Sequence, residues 1–105
     1  MIARIWRGAV RAKDALAYAD YVQRTGIDGY RSVPGNQGAW VMWRIEGDRA
    51  EFVTVSLWES RAAIEGFAGQ DIDKAVFYPE DDQFLIKRDL TVRHYEASGG
   101  TTGEG

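Results

Sequence analysis

The chain has 105 residues, of which 45% are hydrophobic and 28% are charged, so it is long enough for one compact domain but too short for two separate cores. This composition excludes a wholly disordered chain and a fibrous repeat. A formal net charge of −3 without any basic run argues against binding nucleic acid through bulk positive charge, and zero cysteines exclude disulfides and thiolate chemistry.

The N-terminal segment is apolar but is interrupted by arginines. Arg4 and Arg7 fall within its first seven residues, so the segment matches neither a secretory leader nor a transmembrane span. We therefore expect a cytoplasmic protein whose partners include neither membrane nor nucleic acid.

The first third of the chain predicts a strand, a helix and a loop. Residues 2–10 alternate loosely in polarity, as a half-buried strand does. Apolar residues then recur at helical spacing from Ala12 to Thr25, and Gly26 stands where a helix C-cap belongs. Turn-forming residues at 26–29 and 32–36 predict a connecting loop.

A β-hairpin is predicted around Gly47-Asp48, which suits a two-residue type II′ turn between residues 37–46 and 49–58. In this register Glu46 opposes Arg49, and the two strands present two different faces. We expect the more aliphatic face to lie beneath helices and the more aromatic face to line a pocket. The first face carries Trp40, Met42, Val53, Val55 and Leu57, and the second carries Val41, Trp43, Phe52, Thr54, Ser56 and Trp58.

The last third predicts a helix, a bend and a strand. Ser60 is a suitable N-cap for a second helix that ends at Gly69. Residues 71–77 predict a further short turn of helix, and residues 78–82 predict an acidic, solvated bend. Residues 84–96 predict a final strand, and residues 98–105 a disordered tail.

The order βαββαβ predicts an α+β, ferredoxin-like fold with one antiparallel sheet covered on one face by two helices. The other face would then expose a large apolar patch to water. A second copy that packs sheet against sheet would cover this patch, so we expect a homodimer.

Several segments resemble the antibiotic biosynthesis monooxygenase family. They are IARIW at residues 2–6, LWESRAAIEGFAG at 57–69, AVFYPEDD at 75–82 and VRHYE at 92–96. The resemblance covers about residues 2–96, which places the domain at residues 1–97. It implies a dimeric α+β barrel. It also implies kinship with oxygenases that oxidise polycyclic phenols or quinols without metal or flavin, in a family that includes haem-degrading enzymes and members with no established activity.

Two departures from the family bear on cofactors. Haem-degrading relatives use a histidine in or just after the second helix and an asparagine on an early strand. Here the single histidine is His94, on the predicted last strand, and the single asparagine is Asn36, in a loop. The departures argue against haem degradation, and we expect no cofactor and no metal.

His94 is the candidate general base, because an unperturbed imidazole titrates at about pH 6.5. Cofactor-free oxygenation requires an electron-rich substrate anion, so proton removal is the step that a protein can assist. The alternative is a histidine that is satisfied by hydrogen bonds at the dimer interface.

The other candidates are ligand-binding residues. Arg4 shares a strand face with Trp6 and could stabilise a substrate oxyanion, or it could pair with a carboxylate. Tyr78 could hydrogen-bond a ligand or pin its loop. The aromatic side chains of Trp6, Trp43, Phe52 and Trp58 could stack on a flat ring or belong to the core.

Two functions compete at this point. The first is a cofactor-independent monooxygenase that acts on a small aromatic phenol or quinol. The second is a non-catalytic dimer of the same fold that binds a small molecule or serves in a stress response. A lyase or isomerase that uses the same histidine and arginine is a third possibility.

Overall fold

The computed structural model describes residues 1–98 of the chain. Its strands are β1 (Ile2–Arg11), β2 (Asn36–Glu46), β3 (Arg49–Trp58), β4 (Leu85–Arg88) and β5 (Arg93–Glu96). They form one sheet in the order β2-β3-β1, and β4 and β5 both pair with β1 at its other side. Every pairing is antiparallel. This arrangement confirms the predicted α+β, ferredoxin-like fold.

The first helical segment is longer than predicted. A 3₁₀ turn (Ala12–Asp14) leads into α1 (Ala15–Val22), a π-helical turn (Gln23–Ile27) and α2 (Asp28–Arg31). The prediction that Gly26 ends the helix was therefore wrong. Ile27, the next residue, is fully buried in the core, and burying it favours continuation of the helix over a loop.

The second helix, α3 (Arg61–Ala68), has the predicted ends. The Ser60 hydroxyl accepts a hydrogen bond from the Ala63 N–H at 3.2 Å, and Gly69 leaves the helix with φ of +83°. The predicted helical turn at residues 71–77 does not form, because the backbone there pairs with the chain ahead of β5. The Ala75 N–H donates to the Leu90 carbonyl at 3.0 Å, and the Val92 N–H donates to the Asp73 carbonyl at 2.8 Å. A short helix, α4, lies at Asp81–Phe84 instead.

The same pairing interrupts the predicted final strand. Residues 84–96 were expected to be continuous, but they form β4 and β5 with a break between them. β4 pairs with residues 8–10 of β1, and β5 pairs with residues 2–5. The two halves of β1 thus pair with different parts of the chain.

The hairpin has the predicted register but not the predicted orientation. Glu46 opposes Arg49. A type II′ turn requires a positive φ at its first central residue only, and Gly47 has φ of +63° whereas the φ of Asp48 is not positive. The helices, however, cover the aromatic face, where Phe52 and Trp58 are fully buried. We call this the covered face. We call the opposite face, formed by Trp40, Met42, Val53, Val55 and Leu57, the open face.

The expectation that the aliphatic face lies beneath helices was therefore wrong. Both faces are apolar, so alternation of polarity could not tell which one the helices would cover. Trp6, Phe52 and Trp58 are buried by the chain's own helices and loops and need no second copy to cover them. Large apolar side chains remain exposed on the open face, where Trp40 is 48% and Met42 is 50% exposed.

Within residues 1–98, no helix is both long enough and apolar enough to cross a membrane. The cytoplasmic location and the domain limits of 1–97 stay predictions. Apart from Ser98, the predicted disordered tail lies outside the described residues.

Candidate functional site

The main candidate site is a cavity between the covered face of the sheet and the helical segment at residues 15–31. Strands β1 and β3 supply one wall, and residues 76–78, which precede α4, close the side. The aromatic residues around the cavity are Trp6, Tyr18, Tyr30, Phe77 and Tyr78. The polar ones are Arg4, Thr25, Thr54 and Asp81, and the remaining lining residues are Val22, Gly26, Val76 and Val92.

This cavity is narrow. Its volume is about 40 Å³. Ligand sites for small molecules commonly occupy about 300–1,000 Å³. A ring therefore enters only if lining side chains move, and two of the lining residues, Val76 and Phe77, lie outside the helices and strands.

Trp6 is held rigidly against the sheet. Its indole N–H donates to the Asp89 carbonyl at 2.9 Å, and its ring meets Phe77 edge-on at 6.1 Å. The ring also lies across Gly8, where a Cβ would overlap it. Glycine at this position lets the indole pack directly on the backbone.

Arg4 is a buried cation, only 3% exposed. Its guanidinium donates to the carbonyl of Ile72, to the carbonyl of Lys74 at 3.1 Å and to Nε2 of His94 at 3.1 Å. Within the described residues it makes no salt bridge, so the predicted alternative of a carboxylate partner is not what the structure shows. Burial lowers the pKa of Arg4, but an arginine stays charged in proteins. The cavity wall thus carries a positive charge whose nearest carboxylate, Asp73, is connected to it only through His94.

His94 lies beside Arg4 and does not line the cavity. It pairs with Arg4 across β5 and β1, which puts it on the covered face that the sequence could not assign. Because arginine can only donate, Nε2 accepts, and the remaining proton on Nδ1 is donated to Asp73 Oδ1 at 3.2 Å. Burial and the neighbouring Arg4 charge lower the pKa of His94, and Asp73 opposes this. The imidazole is therefore neutral near pH 7, and Nε2 is occupied.

Asp81 is the site residue that sequence reasoning missed. It was placed in a solvated acidic bend, yet it is only 5% exposed, whereas its neighbour Asp82 is exposed. The Tyr18 hydroxyl donates to its Oδ1 at 2.9 Å, and the Tyr78 N–H donates to its Oδ2 at 2.7 Å. One local signal could have identified it, since Tyr78-Pro79-Glu80-Asp81 has proline at the second position of a four-residue turn. The Asp81 N–H closes this turn on the Tyr78 carbonyl at 3.0 Å, which brings the carboxylate back to the Tyr78 N–H.

The tyrosine hydroxyls of the cavity are protonated near neutrality. Burial raises the pKa of Tyr18, Tyr30 and Tyr78, and the carboxylate of Asp81 raises those of Tyr18 and Tyr78 further. These hydroxyls can donate hydrogen bonds to a ligand but do not act as bases.

The remaining predicted aromatics lie outside the cavity lining. Trp43 stacks on Phe52 at 5.6 Å near the hairpin end, and Trp58 donates to the Ser56 hydroxyl at 2.9 Å beneath α3. Of the residues proposed from sequence, the cavity brings together Arg4, Trp6 and Tyr78 and leaves out His94, Trp43, Phe52 and Trp58.

Within residues 1–98, no group of three or more histidine and carboxylate side chains is arranged to hold a metal ion. The carboxylates of the acidic bend, Glu80 to Asp82, do not converge, because Asp81 points inward while Asp82 pairs with Arg88 at the surface.

No protein-family model matches this sequence, and the search of curated proteins finds no match. Three solved structures align over nearly the whole chain. HapK from Hahella chejuensis has a TM-score of 0.62 and 16% identity, with 100% of both chains covered. A variant of MhuD, solved with two manganese protoporphyrin IX molecules per active site, has a TM-score of 0.61 and 17% identity, with 98% of this chain and 100% of that chain covered.

The third is a protein assigned as an antibiotic biosynthesis monooxygenase from Bacillus cereus, with a TM-score of 0.61, 16% identity and 96% of both chains covered. At these identities the similarity concerns the fold. The chain has the ferredoxin-like α+β fold of the antibiotic biosynthesis monooxygenase family, as the sequence resemblance implied.

Proposed function

We propose that this protein is a cofactor-independent monooxygenase that acts on a small aromatic phenol or quinol. One observation carries the proposal: a narrow cavity lined by five aromatic side chains also contains a buried arginine that has no direct salt bridge within the described residues. A flat aromatic anion is the ligand that complements such a surface.

The chemistry balances without an added reductant. In a substrate with a CH₂ group activated by a phenolic ring, loss of a proton to solvent water gives an electron-rich anion that reacts with dioxygen, and a proton is taken up again when the second oxygen leaves. The carbon loses four electrons as CH₂ becomes C=O, and dioxygen gains them, with one oxygen entering the carbonyl and the other leaving as water. Arg4 stabilises the oxygen that carries the negative charge, which makes ionisation of the bound substrate easier.

The other residues orient the substrate and exclude water. Trp6 and Tyr78 contact the ring, and the hydrogen bond from Trp6 to Asp89 fixes one wall. His94 was expected to take the proton. In the present proposal it is a positioning residue, because its Nε2 holds the guanidinium of Arg4.

Oxygen uptake tests this proposal. The purified protein is given anthrone-like phenols, naphthols and quinols, with a chelator present and no cofactor added, and we expect uptake above the spontaneous rate. We expect Arg4→Gln to lower kcat by about a hundredfold, as the loss of an oxyanion-stabilising group does. Arg7→Gln is the matched control, because Arg7 lies on the same strand but is exposed on the open face.

Ligand binding without oxygen uptake across the panel would favour the second candidate, a non-catalytic small-molecule-binding protein. The observation that favours this candidate is the occupied Nε2 of His94, which leaves the one histidine of the chain without a free acceptor for substrate.

We further propose that two copies associate through the open face. Ile5, Val55 and Trp40 stand side by side across three strands there, and Val53 and Met42 form an apolar pair in the row beside them. An exposed apolar patch of this kind is unfavourable in water. Sedimentation at micromolar concentration should show a dimer, and Met42→Asp should convert it to a monomer with an unchanged circular dichroism spectrum. A monomeric wild-type protein would contradict this.

A further inference from the structure

His94 connects the cavity to the protein surface through two hydrogen bonds. Its Nε2 accepts from the guanidinium of Arg4 at 3.1 Å, and its Nδ1–H donates to Asp73 Oδ1 at 3.2 Å. The side chain of His94 is 15% exposed and that of Asp73 is 74% exposed, whereas Arg4 lines the cavity. A line of three side chains therefore runs from the cavity, through the guanidinium and the imidazole, to solvent.

Protonation of His94 would disrupt one contact of this line. A protonated Nε2 carries a hydrogen and can no longer accept from Arg4, and two positive charges would then face each other. Arg4 would keep its hydrogen bonds to the carbonyls of Ile72 and Lys74, and the imidazolium would form an ion pair with Asp73. Arg4 can thus stay at the cavity wall when His94 is charged.

Three charged groups act on the imidazole from the elements packed against it. Burial lowers the pKa of the imidazole most, Arg4 of β1 and Arg61 of α3 lower it further, and Asp73 raises it. The neighbours on its own strand, Arg93 and Tyr95, alternate with it and belong to the open face. Of these groups only Arg4 lines the cavity, so a ligand there acts on the imidazole mainly through Arg4.

An anion that binds at Arg4 would neutralise the positive charge that faces His94. The guanidinium would then repel an imidazolium less, and the anion itself would attract it. A neutral ligand leaves the charge of Arg4 as it is. Because coupling between two binding events is reciprocal, a charged His94 would in turn strengthen the binding of the anion.

We propose that His94 couples anion binding to proton uptake: it takes up a proton when an anion binds at Arg4, so the cavity binds anionic ligands more tightly as the pH falls and neutral ligands equally at each pH. His94 acts as a positioning residue, because it contacts Arg4 and does not line the cavity. The inference rests on the proposed function for the anion at Arg4, but it does not require oxygenation.

Nuclear magnetic resonance tests this apart from turnover, because the chain contains one histidine, whose imidazole signals can be followed alone. The probes are benzenesulfonate, an anion with no hydroxyl or CH₂ group to oxidise, and benzenesulfonamide, its neutral analogue. We expect saturating benzenesulfonate to raise the pKa of His94 by about one pH unit, as a nearby opposite charge does, and benzenesulfonamide to leave it unchanged. This comparison requires no variant to fold.

Calorimetric titration measures the reciprocal effect. A change of one pH unit in a pKa corresponds to about a tenfold change in affinity, so benzenesulfonate should bind up to about tenfold more tightly at about pH 5.5 than at about pH 8. His94→Gln should remove this dependence and keep the affinity at the higher pH, because the amide oxygen of Gln can accept from Arg4 but does not titrate. Arg93→Gln, at an exposed position on the open face, is the matched control and should keep the dependence.

Equal affinity for benzenesulfonate at the two pH values would overturn the inference. An unchanged pKa of His94 at the highest concentration of benzenesulfonate would do the same, as would a pH dependence that survives His94→Gln. The proposed function fails separately. Proton-linked binding without oxygen uptake would contradict oxygenation alone, and oxygen uptake with pH-independent binding of benzenesulfonate would contradict the coupling alone.

Discussion

Trp58 and Trp40 lie on adjacent strands of the same sheet, but Trp58 is fully buried on the covered face and Trp40 is 48% exposed on the open face. The two faces differ less in apolar content than in how their polar groups are satisfied. On the covered face Ser56 accepts from the Trp58 indole, and Arg4 donates to backbone carbonyls. Burial on that side is possible because each polar group finds a partner within the chain.

Truncating one tryptophan on each face should give the largest difference in the free energy of unfolding. Trp58→Ala should lower the free energy of unfolding by about 3–5 kcal/mol, because it removes a fully buried ring. Trp40→Ala should change it by less than about 1 kcal/mol at low protein concentration. Urea denaturation measures both. Equal costs would contradict the assignment of faces, and a Trp40→Ala cost that rises with protein concentration would indicate that a second copy covers the open face.

Close packing on the covered face predicts a smaller effect at Gly8. A Cβ at Gly8 would overlap the Trp6 ring, so Gly8→Ala should destabilise the fold by about 1–3 kcal/mol. Gly66→Ala is the control, because a Cβ there meets only Val33 Cγ1 at 3.8 Å and the residue lies within α3. Thermal unfolding compares the two, and a neutral Gly8→Ala would mean that Trp6 is not fixed against the strand.

Removing the hydroxyl of one tyrosine on each side of the sheet compares the stability that hydrogen bonding contributes there. Tyr18→Phe removes the hydroxyl that donates to buried Asp81 and should cost about 1–2 kcal/mol. Tyr95 is 50% exposed and lies beside Ala3 on the open face, so Tyr95→Phe should cost less than about 0.5 kcal/mol. Chemical denaturation of both variants checks this, and similar costs would show that the Tyr18 hydroxyl is not needed by Asp81.

The smallest expected effect is a dependence on pH. The pKa of His94 is lowered in the folded protein, mainly by burial and by Arg4, so below the ordinary value of 6.5 the unfolded chain binds a proton more readily than the folded one. Stability is then full above pH 6.5 and falls as the pH decreases toward the folded-state pKa. His94→Gln should reduce this slope in Tm, and Arg93→Gln, on the open face, should preserve it. An unchanged slope in His94→Gln would contradict the shift.

Local sequence features predicted the parts of the fold that depend on neighbouring residues. The hairpin register and the Ser60 cap are set within a few residues, and both were predicted correctly. The facing of His94 and the burial of Asp81 depend on contacts with β1 and α1, far away in sequence. The alternation of polar and apolar residues along a strand gives no information on such contacts, because the alternation is the same whichever face of the sheet the helices cover.

The break between β4 and β5 was missed for the same reason. Residues 84–96 alternate as one strand would, and the break exists because residues 90 and 92 bond to the segment at residues 73–75. Arg4 and Trp6 were found together because they share one face of one strand, which alternation does reveal.

One residue of the π-helical turn can change the volume of the cavity. Thr25 and Gly26 both line the cavity from this turn, and the Thr25 hydroxyl donates to the Tyr21 carbonyl at 2.7 Å. A Cβ at Gly26 would meet only Val22 Cγ1 at 3.9 Å, so a methyl group fits there without backbone adjustment. Alanine is also a better helix former than glycine by about 1 kcal/mol. Substitution of alanine for Gly26 in a related chain would therefore reduce the volume of the cavity, and with it the size of the ligand, without a loss of stability. The size of the ligand can thus change in evolution independently of the stability of the fold.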